Sequence, residues 1–441
     1  MKPGVLFLKQ SFGRREKKLL YKCVPNDKTL SPVFIPYELK PSFSKVIKNL
    51  FIIYDEMLEQ IVQIIGPVDI VNHFYEYQLY CKKLFVSNTK INKIFLKIDF
   101  DIIGQLREKY SDFEDRRDEY VFSIDPEGCM DYDDAFSVSY DETGSIKTVN
   151  IYISNVPAVL DHLNVWHKLT DRVSTLYMPD KKHQMLPSCL SEGACSLKQG
   201  TDRAVFSLSL NIQTKSFSFS NCFIHVNRNF VYESTELLRN KDYQSLKDIS
   251  GESDSHKVVE YFMTKMNFIS SQKLLEIGSG IFRKTAKGFG DVVVGEYSGI
   301  APAPLLEHCG LQLSSYVHIS SPIRRLVDLL NMIKINEPIM SEDAMRFYDG
   351  WLEKIEYINK MSAAGRKIQN DCSLLHLCLT DKSVLEKTYD AIVIDKYLVY
   401  ISELKFTNKI KREDLVIGET ITVKLFIFEK ENSFKKKIRL N

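Results

Sequence analysis

The sequence has no Cys-x-x-Cys pair, no long apolar run, no low-complexity segment and no internal repeat. Its nine cysteines are an odd number without metal-ligand spacing, which argues against a disulfide framework and against a structural zinc site. No apolar stretch approaches the roughly 20 residues that span a bilayer, and the N-terminus lacks a signal-peptide pattern. We therefore expect a monomeric protein of the cytoplasm or nucleus that is neither secreted nor bound to a membrane.

Charge is also not in large excess of either sign. The formal net charge is +2 on a chain of 441 residues with 26% charged residues, so any basic surface must come from local segregation. Hydrophobic residues make up 44% of the chain, which is ample for a globular core. This length predicts two or three domains rather than one.

What stands out is a cluster of aspartates in Ile124–Ala135, which reads I-D-P-E-G-C-M-D-Y-D-D-A. The four carboxylates are those of Asp125, Asp131, Asp133 and Asp134. Close carboxylates repel unless some are protonated or a cation lies among them, and oxygen ligands favour Mg²⁺, Mn²⁺ or Ca²⁺. The alternative is a solvated acidic turn. A calcium-binding EF-hand is excluded, because its mid-loop glycine would be Phe136.

The cluster lies between two apolar runs with the composition of strands, residues 120–124 and 135–138. Short β-favouring runs also occur throughout residues 1–95 and 386–441. Apolar residues recur at helical spacing in the segments 256–276, 321–336 and 342–379. Asp141–Gly144 has the composition of a hairpin turn. The aromatic stretch 74–80 suits either base stacking or, more simply, packing.

A second group of charged residues is the arginine pair Arg324 and Arg325. Ser321 and Pro322 have the residue types of an N-cap and a first helical position, which predicts that a helix begins there with both arginines in its first turn. The helix dipole disfavours positive charge at that end, so such arginines suit an anion such as phosphate. The alternatives are a surface pair, or an ion pair with Asp328. Carboxylates that hold Mg²⁺ beside an arginine are the parts needed for phosphodiester hydrolysis.

These blocks resemble the ribonuclease II/R family, whose catalytic module is the RNB domain, and look most similar to the exosome catalytic subunit. The aspartate pattern matches, and so do the segments 177–197, 202–207 and 308–325. In the N-terminal part, the segments 36–45 and 74–80 resemble a cold-shock barrel. The resemblance implies an α+β protein with an OB/cold-shock-like barrel (1–95), a shortened RNB domain (96–385) and an OB-like barrel (386–441).

The resemblance also implies the activity, which is 3′→5′ hydrolysis of single-stranded RNA to nucleoside 5′-monophosphates. The four aspartates would hold Mg²⁺, or Mn²⁺, and Asp133 and Arg324 would be catalytic. RNA contacts are predicted for Tyr177, Tyr232, Arg325 and Glu260, with core packing as the alternative for each tyrosine. A helicase or scaffold partner is not identifiable.

Some positions depart from the family pattern. The segments that precede and follow residues 258–263 are short, and Tyr261 occupies the position where a second glutamate is expected next to Glu260. Leu326 replaces the usual aromatic, and Met332-Ile333 replaces His-Arg. A catalytically silent protein that binds RNA or a partner is therefore the alternative function. A third possible function is that of an endonuclease or a DNA-directed phosphodiesterase that uses the same metal site.

Overall fold

The structure is a computed structural model that describes residues 1–39, 47–86, 102–287, 293–301, 306–410, 414–430 and 435–441. The chain forms two compact units. Unit 1 comprises residues 1–86, 176–183 and 363–441, and unit 2 comprises residues 87–175 and 184–362. The N-terminal and C-terminal strand regions thus belong to one unit. The predicted division at 95/96 lies outside the described residues, and the three-domain division stays a prediction.

Unit 1 begins with a five-stranded antiparallel sheet that curls into a half-barrel, in the order β3-β2-β1-β4-β5. Its strands are β1 (Lys2–Arg15), β2 (Lys18–Pro25), β3 (Val33–Tyr37), β4 (Leu50–Asp55) and β5 (Gln60–Pro67). Alternating side chains such as Leu6, Tyr21, Ile35 and Ile52 form its core. Part of the segment 36–45, which resembles a cold-shock barrel, lies outside the described residues.

The aromatic stretch 74–80 forms helix α1 (Val71–Cys81). Phe74, Tyr75 and Tyr77 are buried. The ring of Tyr77 stacks on that of Phe51 in β4, with centroids 4.3 Å apart. These three rings therefore serve packing, and they are not available as a base-stacking surface.

The C-terminal part of unit 1 is a second five-stranded sheet that curls into a half-barrel, in the order β18-β17-β16-β19-β20. Its strands are β16 (Thr388–Asp395), β17 (Leu398–Ile401), β18 (Phe406–Lys409), β19 (Thr420–Lys430) and β20 (Lys435–Leu440). The same unit contains the two-residue strands β10 (Leu176–Tyr177) and β11 (Lys182–His183). Both half-barrels agree with the predicted fold class.

Unit 2 is built on a mixed sheet in the order β12-β9-β8-β7-β13-β6, in which β12 also pairs with β13. The strands are β6 (Glu114–Asp115), β7 (Val121–Asp125), β8 (Asp134–Tyr140), β9 (Ile146–Ser154), β12 (Asp202–Asn211) and β13 (Phe217–Val231). Strands β8 and β9 form the predicted hairpin at Asp141–Gly144, where Asp141 accepts hydrogen bonds from Thr143 and Ser145. Strand β7 pairs with β13 in parallel.

One face of this sheet carries the main core of unit 2, in which Phe122, Phe136 and Phe206 pack against Phe262 and other helical residues. After α1, the α-helices in the described residues are α2 (Ile102–Lys109), α3 (Val156–His162), α4 (Thr235–Arg239), α5 (Lys241–Ser250), α6 (Ser255–Ile277), α7 (Leu326–Ile335), α8 (Glu342–Leu352), α9 (Ile355–Thr380) and α10 (Ser383–Glu386). Strands β14 (Phe282–Lys287) and β15 (Val293–Ser298) form a separate ladder. The predicted helical segments 256–276 and 342–379 match α6 and the pair α8 and α9.

Candidate active site

The four aspartates lie where two adjacent strands of the central sheet end and begin. Strand β7 ends at Asp125 and β8 begins at Asp134, and the turn between them uses Gly128 at a positive φ of 75°. Asp131 and Asp133 are 8% and 3% exposed. One oxygen of Asp125, Oδ2, is buried without a hydrogen-bond partner. The structure therefore gives an acidic loop (residues 125–134) in which two aspartates are buried and two are partly buried, instead of a solvated turn.

The carboxylates are close enough to affect one another electrostatically. Burial, together with the charges of Asp133 and Asp131, raises the pKa of Asp125 to about 7. Burial also raises the pKa of Asp133 to about 6, against the attraction of Arg324. The pKa of Asp134 lies well above its usual value because of burial and the charges of Asp125 and Asp133. A bound cation would relieve this repulsion.

Arg324 is bound directly to the acidic loop. Its Nε donates to Asp133 Oδ2 at 2.8 Å, and the backbone N–H of Ile323 donates to Asp133 Oδ1 at 2.9 Å. The guanidinium also donates through Nη2 to Ser321 Oγ at 2.8 Å. The structure thus joins the predicted catalytic pair Asp133 and Arg324.

The two arginines precede their helix, contrary to the prediction. Helix α7 begins at Leu326, and its N-cap is Arg325 rather than Ser321. The backbone of Arg325 is extended and forms an isolated β-bridge with Ser174. The bridge and the hydrogen bonds to Asp133 hold residues 321–325 outside the helix, so the dipole argument for these arginines does not apply.

Arg325 forms the ion pair that was one alternative for it. Its Nη2 donates to Asp328 Oδ1 at 2.8 Å, and Asp328 is fully buried. The N–H of Ser321 donates to the same oxygen at 2.8 Å. Contact between Arg325 and RNA stays a prediction.

Tyr232 lies beside the acidic loop. Its backbone N–H donates to the carbonyl of Asp125 at 3.1 Å, and burial followed by the charges of Asp134 and Asp125 raises the pKa of its hydroxyl. The ring stacks on His256 at 3.7 Å between centroids. His256 was not singled out from the sequence, because nothing local links it to the aspartates.

The other two predicted RNA contacts are Tyr177 and Glu260. Tyr177 belongs to unit 1, is 45% exposed, and its backbone N–H donates to Gln369 Oε1 at 2.5 Å. Glu260 is exposed on α6. Tyr261, at the position of the expected second glutamate, is partly buried against the main core of unit 2. An exposed Tyr177 ring is inconsistent with the alternative of core packing.

A histidine in the segment 308–325 contributes to the surroundings of the arginines. The hydroxyl of Tyr297 and Nδ1 of His318 are hydrogen-bonded at 2.8 Å. Burial, and then the charges of Arg325 and Arg283, hold the pKa of His318 well below its usual value. The imidazole is therefore neutral near neutral pH. The sequence contains His318 in a family block but gives no sign of its partner Tyr297.

The donor set fits a hard divalent cation. All four candidate ligands are carboxylates, they repel one another, and the buried Oδ2 of Asp125 needs a partner. Within the described ranges, no group of three or more His, Cys, Asp or Glu side chains is arranged to hold an ion.

Comparison with known proteins identifies a domain in the central part of the chain. The family profile of the RNB domain matches residues 113–248, which contain the acidic loop and all six strands of the central sheet. Residues 113–248 are therefore an RNB domain, the module of the ribonuclease II/R family that the motifs predicted.

The relatives include bacterial and eukaryotic enzymes. Ribonuclease R of Chlamydia muridarum (strain MoPn / Nigg) is 23% identical, over 61% of this chain and 54% of that protein. The human exosome complex exonuclease RRP44 is 30% identical over 129 residues, which are 28% of this chain and 13% of that protein. The chain thus spans about half the length of the first of these relatives.

Solved structures share the fold. Mycoplasma genitalium RNase R in complex with ribose-methylated single-stranded RNA superposes with a TM-score of 0.70 at 16% identity, covering 100% of this chain and 89% of that chain. Yeast Ssd1, a pseudonuclease, superposes with a TM-score of 0.64 at 15% identity, covering 93% of this chain and 64% of that chain.

Among the described residues, none of the helices combines the length and apolarity needed to cross a membrane.

Proposed function

We propose that the protein is a metal-assisted 3′→5′ exoribonuclease that hydrolyses single-stranded RNA to nucleoside 5′-monophosphates. The observation that carries the proposal is the direct link between a buried, mutually repelling carboxylate cluster and Arg324. A carboxylate cluster supplies metal ligands, and a guanidinium supplies positive charge for a phosphate. Both are needed to hydrolyse a phosphodiester.

The residues have distinct roles in this proposal. The family resemblance assigns Mg²⁺ or Mn²⁺ to the acidic cluster formed by Asp125, Asp131, Asp133 and Asp134. The bound metal would activate water and stabilise charge on the scissile phosphate. Arg324 donates hydrogen bonds to the non-bridging phosphate oxygens as their charge increases in the transition state. Tyr177 and Tyr232 offer ring faces to bases, and Arg325 and Glu260 contribute polar contacts.

The second candidate is a catalytically silent RNA-binding protein. The observation that favours it is Tyr261, whose ring packs into the core where the family pattern has a carboxylate. The fold shared with a pseudonuclease is compatible with it. The intact aspartates favour the enzyme, because a silent protein would gain nothing from burying repelling charges.

The test is a gel time course with 5′-labelled single-stranded RNA and Mg²⁺, together with a 3′-blocked copy and a DNA copy. We expect stepwise shortening of the free 3′ end only, with nucleoside 5′-monophosphates as products. The Asp125→Asn variant should be inactive. The Asp349→Asn variant, which makes the same change at an exposed position of α8, should cleave like the wild type.

The other outcomes separate the candidates. RNA binding without cleavage by the wild type would establish the silent protein. Cleavage of the 3′-blocked RNA would indicate an endonuclease, and cleavage of the DNA copy would remove the requirement for RNA.

A further inference from the structure

Asp133 uses its oxygens differently from Asp125. Both oxygens of Asp133 accept hydrogen bonds from consecutive residues of the arginine turn (residues 321–325), namely from the Ile323 N–H at 2.9 Å and from Arg324 Nε at 2.8 Å. Asp125 instead retains a buried oxygen, Oδ2, with no partner. One carboxylate is therefore engaged by the protein, whereas the other has an oxygen that needs a ligand.

The backbone of Asp133 is fixed as well. Its carbonyl accepts a hydrogen bond from the N–H of Ser154, at the end of β9, at 2.9 Å. The Asp133 side chain is 3% exposed and that of Arg324 is 40% exposed, so the bond between them is shielded from water on the carboxylate side. Charge-assisted bonds in such surroundings are strong and directional. Asp133 thus connects the central sheet rigidly to Arg324.

Arg325 gives an internal comparison. It also pairs with a buried aspartate, but Asp328 lies only three residues later, in the first turn of α7. That pair stabilises the start of α7 and makes no bond to the acidic loop. Of the two pairs, only Asp133–Arg324 joins the arginine turn to the aspartates, across 191 residues of sequence.

We propose that Asp133 is the positioning residue that orients Arg324 toward the scissile phosphate, and that Asp125, Asp131 and Asp134 carry metal binding. The inference rests on the proposed nuclease function and differs from the family resemblance, which assigns the metal to all four aspartates. Asp133 acts through Arg324, so the loss of either residue removes the same transition-state interaction.

Asparagine at position 133 would break this link. Its carbonyl can still accept from the Ile323 N–H, but its amide group would then face Arg324 Nε, and two donors cannot pair. Arg324 would leave its position while the backbone bonds remained. The Asp133→Asn variant should therefore lose about as much activity as Arg324→Gln.

The first experiment measures Mn²⁺ binding by calorimetry and needs no cleavage. The double variant Asp133→Asn/Arg324→Gln removes one negative and one positive charge, so the net charge of the site is unchanged. We expect its Mn²⁺ dissociation constant to stay within about threefold of the wild type. Asp125→Asn should weaken binding at least about tenfold, and Asp349→Asn is the control. A tenfold loss in the double variant would make Asp133 a metal ligand and overturn the inference.

The second experiment is a double-mutant cycle on the single-turnover cleavage rate. If Asp133 acts through Arg324, the double variant should be no slower than the slower single variant. Losses that multiply would show independent roles and overturn the inference. The same cycle on Arg325→Gln and Asp328→Asn shows what an ion pair that is not bonded to the acidic loop contributes.

The two failures are distinguishable. If the wild type does not cleave RNA, the proposed function fails, and the Mn²⁺ comparison still decides whether Asp133 binds the metal. If the wild type does not bind Mn²⁺, both the proposed metal site and this division of roles are overturned.

Discussion

Charged side chains are buried in two regions of the central sheet of unit 2. One is the acidic loop, and the other is a polar network on the sheet face opposite the main core. In the polar network, Oε2 of Glu119 accepts hydrogen bonds from Ser137, Asn150 and Tyr152 at 2.6–3.1 Å. Arg116, whose side chain is 15% exposed, donates to three serines at 2.9–3.2 Å and pairs with Glu114. These three serines are Ser207, Ser209 and Ser220.

The difference lies in how the charges are satisfied. Hydrogen bonds surround Glu119 and Arg116, as stability requires of buried charge. In the acidic loop, the charges of neighbouring aspartates add to burial in raising the pKa values of Asp125 and Asp134, and Asp125 retains an unpartnered oxygen. Burial of charge alone therefore does not mark a functional site. The two regions differ in how completely their charges are paired, and substitutions in them should have opposite effects on stability and activity.

The largest effect is expected for Asp125→Asn in the acidic loop. Because a metal ion supplies several kcal/mol of transition-state stabilisation, its loss should slow single-turnover cleavage by about 10³-fold or more. Stability should not fall, because one repelling charge is removed. If Asp125→Asn cleaves about as fast as the control Asp349→Asn, Asp125 is not part of the metal site.

Arg324→Ala should slow cleavage by about 10²–10³-fold, as for other single donors to a transition state. Single-turnover rates at saturating RNA measure the effect without a contribution from binding. Arg346→Ala, which removes an exposed arginine of α8, is the control. Cleavage at the wild-type rate would exclude Arg324 from the mechanism.

Glu119→Ala in the polar network should instead lower the free energy of unfolding, by about 1–3 kcal/mol, because three donors lose their acceptor. Glu119→Gln retains an acceptor oxygen and should lower the free energy of unfolding by a smaller amount. Urea unfolding measures both, and the cleavage rate per folded molecule should match the wild type. A specific loss of rate in Glu119→Ala would break the distinction between the regions.

The smallest effects are expected for removal of a hydroxyl from each region. Tyr152→Phe removes a donor to Glu119 and should cost about 0.5–1.5 kcal/mol of stability. Tyr232→Phe keeps the ring on His256, and the Tyr232 hydroxyl forms no hydrogen bond with the described part of the chain, so its cost should stay within about 0.5 kcal/mol. If urea unfolding shows that both variants lose the same unfolding free energy, the expected difference between the two regions is contradicted.

Local patterns predicted much of the fold. The acidic loop lies between two strands, the turn at Asp141–Gly144 joins β8 to β9, and the periodic segment 256–276 is α6. Each of these features is fixed by residues near to one another in sequence. The four aspartates and Arg324 were also identifiable as candidate site residues from their spacing.

The errors and omissions concern residues held by distant partners. Ser321 and Pro322 are typical of a helix start, but Asp133 and Ser174 hold the arginine turn in another conformation. Likewise, the polar network depends on strand register, which aligns Ser207 with Tyr152 and Ser220 only in the folded sheet. No local periodicity reveals such pairings.

The connection between Asp133 and Arg324 also bears on the order in which the chain can fold during synthesis. Strand β7, which leads into the acidic loop, pairs with β13 about a hundred residues later, and Arg324 follows β13 by a further ninety or so. Domains tend to fold as they leave the ribosome, and contacts between distant segments form late. A nascent chain that ends before the arginine turn has all four aspartates but lacks the guanidinium. The ion pair at Asp133 therefore completes only after the arginine turn, 191 residues beyond Asp133, has been translated.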